Sequence, residues 1–358
     1  MHYVVPFDEY QPELRPVVGG KNASLGEMTG AGLPVPPGFA ITTRAFAAHT
    51  AAAGLGRQVD DLLSAVDVGQ PAALEPISAA VRARIEAAPV AGELAEAVSA
   101  AYNRLCRQCG TENLAVAVRS SATCEDAPDA SFAGEHDSFL WIRGADDVIR
   151  HVVRCWSSLW TARAISYRAG TGYGEQPVSM SVGVQKMVRP VASGVAFTLN
   201  PIDGDRSQVA IDANWGLGEP VVSGEVTPDN WLVDKVLYEI TRRRISEKSV
   251  ELRVEGDAVA RVELSGERAT GPCLTDPQIK AVARLARQAE RHFGCPQDIE
   301  WALDSEPGAP EGVALLQSRP ETVWSRKERP PVTASANVLD SIVSTLCAPI
   351  HSRTQPAT

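Results

Sequence analysis

The sequence has no long hydrophobic run and no surplus of basic residues. Nowhere in its 358 residues do about 18 uncharged apolar residues follow one another, which excludes a transmembrane helix. The first residues, MHYVVPFDEY, lack the basic and then apolar order of a secretory signal, so we expect a cytoplasmic protein. Lys and Arg number 34 against 44 Asp and Glu. This net charge of −10 argues against binding to a nucleic acid, because phosphate neutralisation requires basic residues.

Cysteine is too thinly spread to form a disulfide framework. The 7 cysteines are scattered along the chain, whereas small secreted proteins carry a dense set of pairs. Cys106 and Cys109 form a CxxC pair, for which a zinc or redox role must be weighed. Since no second CxxC or close histidine pair supplies further zinc ligands, we interpret both as ordinary thiols near the end of a helix.

The remaining composition is typical of a folded globular protein. Hydrophobic residues make up 44% and charged residues 22%, and the length suggests two or three packed units. The alanine-rich stretch 44–109 predicts three or four helices. After Gly110 the apolar residues alternate with a period of two, which indicates strands. These predicted strands are 114–121, 139–142, 178–188, 194–198, 209–213, 298–303 and 312–317.

Two further patterns complete the predicted fold. Residues 234–264 are typical of a β-hairpin or meander, with clean alternation in VELRV. Thr275 and Gln278 form a capping box that opens a helix with one apolar stripe. The pattern as a whole predicts an α+β fold in which antiparallel strands outnumber parallel ones.

A Gly-Gly-Lys segment near the N-terminus is the first candidate anion site. Gly19 and Gly20 would let backbone N–H groups approach an oxyanion, and Lys21 would add a positive charge at the start of a short helix. The spacing is not that of a Walker A motif. The alternative is an ordinary turn before a helix.

The second candidate is Arg119, at the end of a buried strand. Ser120 and Ser121 follow it, and the loop Ala122–Glu135, which we expect to be mobile, comes next. A guanidinium beside hydroxyls and a flexible glycine-bearing loop suits a polyphosphate. The alternative is a structural arginine paired with Asp126 or Asp129.

The third candidate lies on the last two predicted strands. Glu300 points away from its neighbours in one strand, and Gln317 and Arg319, two residues apart, share a face of the other. A carboxylate, an amide oxygen and a guanidinium would hold Mg²⁺ against a triphosphate, because Mg²⁺ needs only one or two protein ligands. The alternative is an ion pair between Glu300 and Arg319 across neighbouring strands.

A fourth segment, WGLGEPVVSGE at 215–225, is rich in glycine. Its glycines favour a tight loop that approaches a ligand. A single GxG is weak support for a ligand site, and a hairpin turn without a ligand explains the segment equally well.

Several segments, taken in order, resemble the nucleotide-binding domain of the dikinase-type phosphotransferases. This family includes phosphoenolpyruvate synthase, pyruvate phosphate dikinase, rifampicin phosphotransferase and phenylphosphate synthase. The resemblance runs from about residue 6 to 325 and rests on VGGKNASLGEM, LPVPPGFAIT, AVRSSATCEDAPDASFAGEHDSFL, SLWTARAISYR, VGVQKMV, GVAFTLNP, GLGEPVVSGEVTPDNW, DIEWAL and LLQSRPET. It implies an ATP-grasp fold in which two lobes enclose ATP, and Mg²⁺-dependent transfer of the β-phosphoryl of ATP to a histidine, with AMP and phosphate as the other products.

The resemblance also implies roles for individual residues. Those expected to contact ATP are Lys21, Arg119, Gly134, Ser138, Gln185 and Arg319, and those expected to ligate Mg²⁺ are Glu300 and Gln317. Among them Lys21, Arg119 and Arg319 are the expected catalytic cations. Ser138 stands where the family commonly has threonine, and its hydroxyl is kept.

These roles divide the chain into four parts. They are an N-terminal part with the Gly-Gly-Lys segment and a helical lobe, a sheet lobe with a phosphate-covering loop, a C-terminal lobe with the metal site, and a tail or linker: 1–110, 111–200, 201–325 and 326–358.

The phosphoryl-accepting histidine of the family is not recognisable. It lies on a swivelling domain in a Gly-Gly-x-Thr/Ser-x-His context, and none of the 6 histidines here has that context. His136 falls in the phosphate loop, where a surface residue is expected. We therefore expect the chain to perform the ATP half-reaction with a separate histidine-carrying subunit that selects the final acceptor. The alternative is a regulatory or remnant protein that binds ATP but transfers no phosphoryl group.

Overall fold

The computed structural model describes residues 2–64, 71–122, 138–171, 179–256, 258–305 and 312–324. Contacts divide the chain into two units, Met1–Glu321 and Thr322–Thr358. The first unit contains both large sheets and the helices that pack on them. None of the helices in the described ranges is long and apolar enough to cross a membrane.

The described residues contain ten α-helices. In chain order these are α1 Arg15–Gly30, α2 Thr43–Ala52, α3 Leu55–Ser64, α4 Pro71–Ala87, α5 Gly92–Gln108, α6 Ala145–Ser157, α7 Ala162–Thr171, α8 Glu219–Val222, α9 Gly266–Thr270 and α10 Asp276–Phe293. Four of them, α2 to α5, occupy the alanine-rich stretch and confirm its helical prediction. The capping box is also confirmed: Thr275 and Gln278 satisfy each other's backbone at the start of α10.

The described strands number thirteen. They are β1 Val4–Pro6, β2 Gly38–Ile41, β3 Val116–Ala122, β4 Ser138–Ile142, β5 Met180–Lys186, β6 Pro190–Phe197, β7 Gln208–Trp215, β8 Asp229–Asp234, β9 Ile240–Arg244, β10 Val250–Glu255, β11 Ala258–Glu263, β12 Gln297–Asp304 and β13 Val313–Pro320. All pairings between these strands are antiparallel, as the sequence predicted.

The first sheet has five strands in the order β1-β2-β5-β3-β4. Because side chains alternate along a strand, Val116 and Val118 of β3 face one side and Ala117 and Arg119 face the other. The valines are fully buried in a cluster with helices α2 to α6. The opposite face is therefore the one on which Arg119 is available for a ligand.

The second sheet has six strands in the order β13-β12-β6-β7-β8-β9, and β10 and β11 form a separate hairpin. Trp301 and Ile299 of β12 lie on the face that packs against α10, in a cluster that also contains Leu25 and Met28 of α1. Asp298 and Glu300 alternate with them and therefore occupy the other face. This alternation places the carboxylates away from the apolar cluster.

Helix α1 contacts both sheets and positions the N-terminal candidate residues. Asn22 donates through Nδ2 to Ser181 Oγ on β5 at 2.9 Å, and Ser24 donates to the carbonyl oxygen of Ser318 on β13 at 2.9 Å. Gly183 faces the helix, since a Cβ there would collide with Asn22 Oδ1. The helix thus lies against the first sheet on one side and the edge of the second sheet on the other.

Candidate functional site

Arg119 lies on the face of the first sheet opposite its apolar cluster, with Ser138 directly across from it on β4. Ser138 is exposed and begins β4, so its hydroxyl and the guanidinium share a face at the same level of the sheet. The family resemblance implies a contact with ATP for both residues. The register brings them together.

The Gly-Gly-Lys segment lies where two helical stretches meet within α1. Gly19 has φ 72° and ψ 166°, which is not a helical conformation, so Lys21 lies in the first turn of the second stretch, as the sequence predicted for the start of a short helix. A Cβ on Gly19 would lie 2.5 Å from Ser121 Oγ, which shows why the kink lets α1 approach β3 closely. Lys21 Nζ donates to the carbonyl oxygen of Ser120 at 3.5 Å. Lys21 is thereby placed beside the strand that carries Arg119.

Glu300 and Gln317 are directly paired across β12 and β13. The register then slips, because Trp301 pairs with Leu315 and leaves Leu316 as an extra residue. Such a bulge bends a strand and redirects its side chains, and bulges are frequent beside functional sites. Both oxygen-bearing side chains are consequently neighbours, as the sequence predicted for a Mg²⁺ pair.

Two pairs of opposite charge lie at the site. Arg119 Nη1 lies 3.8 Å from Glu300 Oε2, so a cation of the first sheet meets a carboxylate of the second. Arg319 Nε lies 3.5 Å from Asp298 Oδ2. The alternative prediction of an ion pair between Glu300 and Arg319 is therefore wrong, because the strand register sets Arg319 opposite Asp298. We call Lys21, Arg119, Glu300, Gln317 and Arg319 the inter-sheet site.

Asp298 is a residue of this region that sequence reasoning missed. It lies two residues before Glu300 and on the same face of β12, so the period of two that singled out Glu300 could also have found it. Its Oδ1 is buried without a hydrogen-bond partner. Burial raises the pKa of Asp298 to about 6, although Arg319 opposes the shift, and Glu321 adds to it. A buried carboxylate oxygen that accepts no hydrogen bond can bind a cation or a water molecule held by a cation.

Gln185 is buried on β5, with its register partners Gly38 and Ala117 on either side. Its Nε2 donates to the carbonyl oxygen of Pro36 at 3.2 Å, so the amide is held by the proline-rich connector. Nearby, Val188 packs with Ala302, Ala314 and Leu316 in a small apolar cluster. An apolar surface therefore lies between the segment after β5 and the bulge beside Gln317.

Some sequence-based candidates lie outside the described residues. These are Gly134, His136, Asp126 and Asp129, together with most of the expected phosphate loop. The glycine-rich segment 215–225 is described, and Gly216 approaches protein backbone: a Cβ there would collide with the carbonyl oxygen of Leu252 on β10. Leu217 N donates to the same oxygen at 2.7 Å. Packing against the β10–β11 hairpin accounts for that glycine.

The CxxC cysteines lie at the C-terminal end of α5, where the sequence placed them. Both are free thiols, and burial raises the pKa of Cys109. In the described ranges no group of three or more His, Cys, Asp or Glu side chains is arranged to hold a metal ion. The Glu300 and Gln317 pair is a smaller donor set than that, and it matches what Mg²⁺ requires when phosphate and water supply the remaining ligands.

Comparison with known proteins gives a consistent result. Residues 15–337 match the family model described as pyruvate phosphate dikinase, AMP/ATP-binding domain. The chain is 42% identical over 347 residues to phosphoenolpyruvate synthase of Aeropyrum pernix, covering 90% of this chain and 42% of that protein. It is 41% identical over 360 residues to the probable phosphoenolpyruvate synthase of Staphylothermus marinus, covering 94% of this chain and 43% of that protein. It is 40% identical over 330 residues to the probable phosphoenolpyruvate synthase of Methanocaldococcus jannaschii, covering 92% of this chain and 27% of that protein. The chain spans less than half the length of these curated relatives.

Proposed function

Because the chain belongs to the family of pyruvate phosphate dikinase AMP/ATP-binding domains, we propose that its inter-sheet site binds ATP with Mg²⁺ and begins a phosphoryl transfer. The observation that carries the proposal is the approach of Arg119 to Glu300, with Gln317 paired to Glu300. A cation from one sheet and two oxygen ligands from the other converge there. The arrangement is suited to a metal-bound polyphosphate held between the sheets.

We further propose that the two sheets are the lobes of an ATP-grasp fold. In support, each sheet carries part of the charged set on one face and packs its other face into a separate apolar cluster. Helix α1 contacts both sheets, through Asn22 and Ser24. Each lobe would therefore contribute its own groups to one nucleotide.

The proposed role of Lys21, Arg119 and Arg319 is to bind phosphate oxygens. The planar guanidinium groups suit two oxygens at once, whereas the Lys21 ammonium acts as a point charge. Arg119 and Arg319 are respectively a quarter and more than half exposed, so an incoming anion can reach them. Ser138 and Gly134 would complete the covering of the phosphates. Fixed cations of this kind stabilise the charge that develops during transfer.

The residues present fit Mg²⁺. Glu300 and Gln317 offer hard oxygen ligands on paired strands, and the unpartnered Asp298 Oδ1 lies on the same face. When bound, Mg²⁺ neutralises phosphate charge and orients the reacting group. The protein's own contribution is to hold the carboxylate and the amide at fixed positions on the sheet. We assign the nucleotide base to the apolar cluster of Val188 and Leu316, close to Gln185.

We propose that the β-phosphoryl of ATP is passed to a histidine on another polypeptide or domain, leaving AMP and phosphate. The described histidines do not support an acceptor within the inter-sheet site. His49 is fully buried among helices, His2 is exposed before β1, and His151 and His292 lie on α6 and α10. Pyruvate is the final acceptor to test first, because the relatives are phosphoenolpyruvate synthases.

The test uses ATP labelled at the β-phosphate and a candidate histidine-carrying polypeptide encoded beside this chain. Label on the partner's histidine together with AMP formation is the expected result. ATP binding without AMP or labelled partner would instead favour the regulatory alternative. Lys21→Ala and Arg319→Ala should abolish turnover while the far-ultraviolet circular dichroism stays unchanged. Full activity in either variant would refute the site assignment.

A further inference from the structure

Strand β13 lies at the edge of the six-stranded sheet, yet its outer side is covered. An edge strand presents unpaired backbone groups on its outer side. Here Ser24 Oγ of α1 donates to the carbonyl oxygen of Ser318 at 2.9 Å, and Leu315 N donates to the carbonyl oxygen of Pro34 at 2.9 Å. Both serines are buried. Two hydrogen bonds with the N-terminal segment thus occupy backbone groups of β13 that a seventh strand would otherwise pair with.

Ser318 is the residue between Gln317 and Arg319. Its own hydroxyl donates to Gln297 Oε1 at 2.8 Å, so the residue is held from inside the sheet as well as from α1. Alternation makes Gln317 and Arg319 point away from the buried Ser318 side chain. Any shift of the Ser318 backbone would therefore move the side chains on both sides of it.

The same helical turn of α1 also carries Lys21. Residues three apart in a helix are neighbours on its surface, so Lys21 and Ser24 lie close together on α1. Lys21 reaches the carbonyl oxygen of Ser120, next to Arg119. One turn of α1 therefore connects two backbone positions. The first is Ser120, next to Arg119 in the first sheet, and the second is Ser318, between Gln317 and Arg319 in the second sheet.

We propose that Ser24 is a positioning residue for the nucleotide site. Its hydrogen bond to Ser318 sets the position of β13 relative to α1, so that Gln317 and Arg319 face Lys21 and Arg119 at the separation a metal-bound triphosphate requires. The inference rests on the proposed function, since it assumes that ATP occupies the inter-sheet site. Ser24 acts through β13 and touches no ligand itself. Preorganised groups bind more tightly because less ordering remains to be done on binding.

The test compares Ser24→Thr with Ser24→Val. These two variants have the same shape and differ only in the hydroxyl, so packing changes are matched between them. Titration calorimetry of the full chain with MgATP should give about fivefold weaker binding for Ser24→Val than for Ser24→Thr, the effect of losing one hydrogen bond. Binding of AMP, which lacks the metal-bound phosphates, should differ by less than about twofold.

A purely structural role would give a different pattern. It would weaken MgATP and AMP alike, and that result would overturn the inference, as would equal MgATP affinities of the two variants. Thr29→Ala is the control, because Thr29 Oγ1 donates to Leu25 O at 2.7 Å within the same helix and makes no bond to β13. It should leave both affinities unchanged.

A double-mutant cycle of Ser24→Ala with Arg319→Ala gives a second readout. If Ser24 acts through β13, its removal should cost less affinity when Arg319 is already absent, whereas independent effects would add. Additive losses would contradict the inference. If the wild-type chain does not bind MgATP, the proposed function is overturned and this inference with it. If the wild-type chain binds MgATP but the losses are additive, only the inference about Ser24 fails.

Discussion

Arg119 Nη1 and Glu300 Oε2 lie 3.8 Å apart and join the two large sheets. Their side chains are 25% and 29% exposed, so solvent weakens the attraction between them. Partly exposed ion pairs contribute at most about 1 kcal/mol to stability. The pair therefore matters mainly for where it places charge, namely a cation opposite the Glu300 and Gln317 oxygens.

The first prediction concerns Arg119→Ala. We expect at least about a tenfold loss of MgATP affinity, because a charge-assisted contact to phosphate is removed. The free energy of unfolding should change by less than about 1 kcal/mol, since the ion pair is partly exposed. Titration calorimetry and urea unfolding measure the two quantities. Arg104→Ala is the control: it removes an exposed pair with Glu9 at 2.7 Å and should change neither. Unchanged MgATP affinity of Arg119→Ala would contradict the proposed phosphate contact.

Local features of this fold could be predicted from the sequence, because they depend on residues close together in the chain. The period of two in the apolar residues identified β3 and β5, and the capping box identified the start of α10. The pairing of Glu300 with Gln317 was accessible for the same reason, as both strands are adjacent in sequence and in the sheet. Asp298 could have been found by extending the same alternation by one step.

Features that depend on register or on packing between elements could not be predicted. The bulge at Leu316 shifts the pairing by one residue, and no local pattern marks it. The same register sets Arg319 against Asp298 rather than Glu300. The kink at Gly19 arises where α1 meets Ser121, which is distant in the chain. Such contacts are selected by the tertiary fold rather than by local propensity.

The second prediction concerns the kink in α1. Gly19 has φ 72° and ψ 166°, a conformation nearly restricted to glycine, and a Cβ there would lie 2.6 Å from the carbonyl oxygen of Ser121. Gly19→Ala should lower the free energy of unfolding by about 3 kcal/mol through strain and overlap. The control is Gly30→Ala, where nothing lies within 4 Å of the added Cβ. That change should be neutral or slightly stabilising, and a similar loss in both variants would refute the explanation.

The third prediction concerns a fully buried ion pair beside β8. Lys248 Nζ donates to Asp229 Oδ1 at 2.8 Å, and both side chains are 0% exposed. Asp229 also accepts from the backbone N–H groups of Ser246 and Cys273, at 2.9 Å each. Lys248→Met should lower the free energy of unfolding by about 3–5 kcal/mol, because it leaves a carboxylate buried without its cation.

A second variant tests the cause of that loss. Adding Asp229→Asn to Lys248→Met removes the unpaired charge and should recover part of the stability, which urea unfolding would measure. Lys280→Met on the surface of α10 is the matched control and should change stability by less than about 0.5 kcal/mol. If the double variant is no more stable than Lys248→Met, the buried charge is not the cause.

The fourth prediction is a pH dependence that originates at His49. This residue of α2 is 0% exposed, and its ring centroid lies 5.2 Å from that of Trp156 on α6. Burial lowers the pKa of His49, because it disfavours the imidazolium. Below about pH 6.5 the unfolded chain therefore binds a proton that the folded chain does not, so stability falls as the pH falls. Above that pH His49 is neutral in both states and contributes no slope.

His49→Phe tests this account, because phenylalanine keeps an aromatic ring beside Trp156 and cannot be protonated. Urea unfolding between about pH 5 and 8 should show that the variant loses less stability on acidification than the wild type, by up to about 1.4 kcal/mol for each pH unit below 6.5. His292→Phe is the control, since His292 is exposed at the end of α10 and its replacement should preserve the wild-type slope. An unchanged slope in His49→Phe would show that the acid sensitivity arises elsewhere.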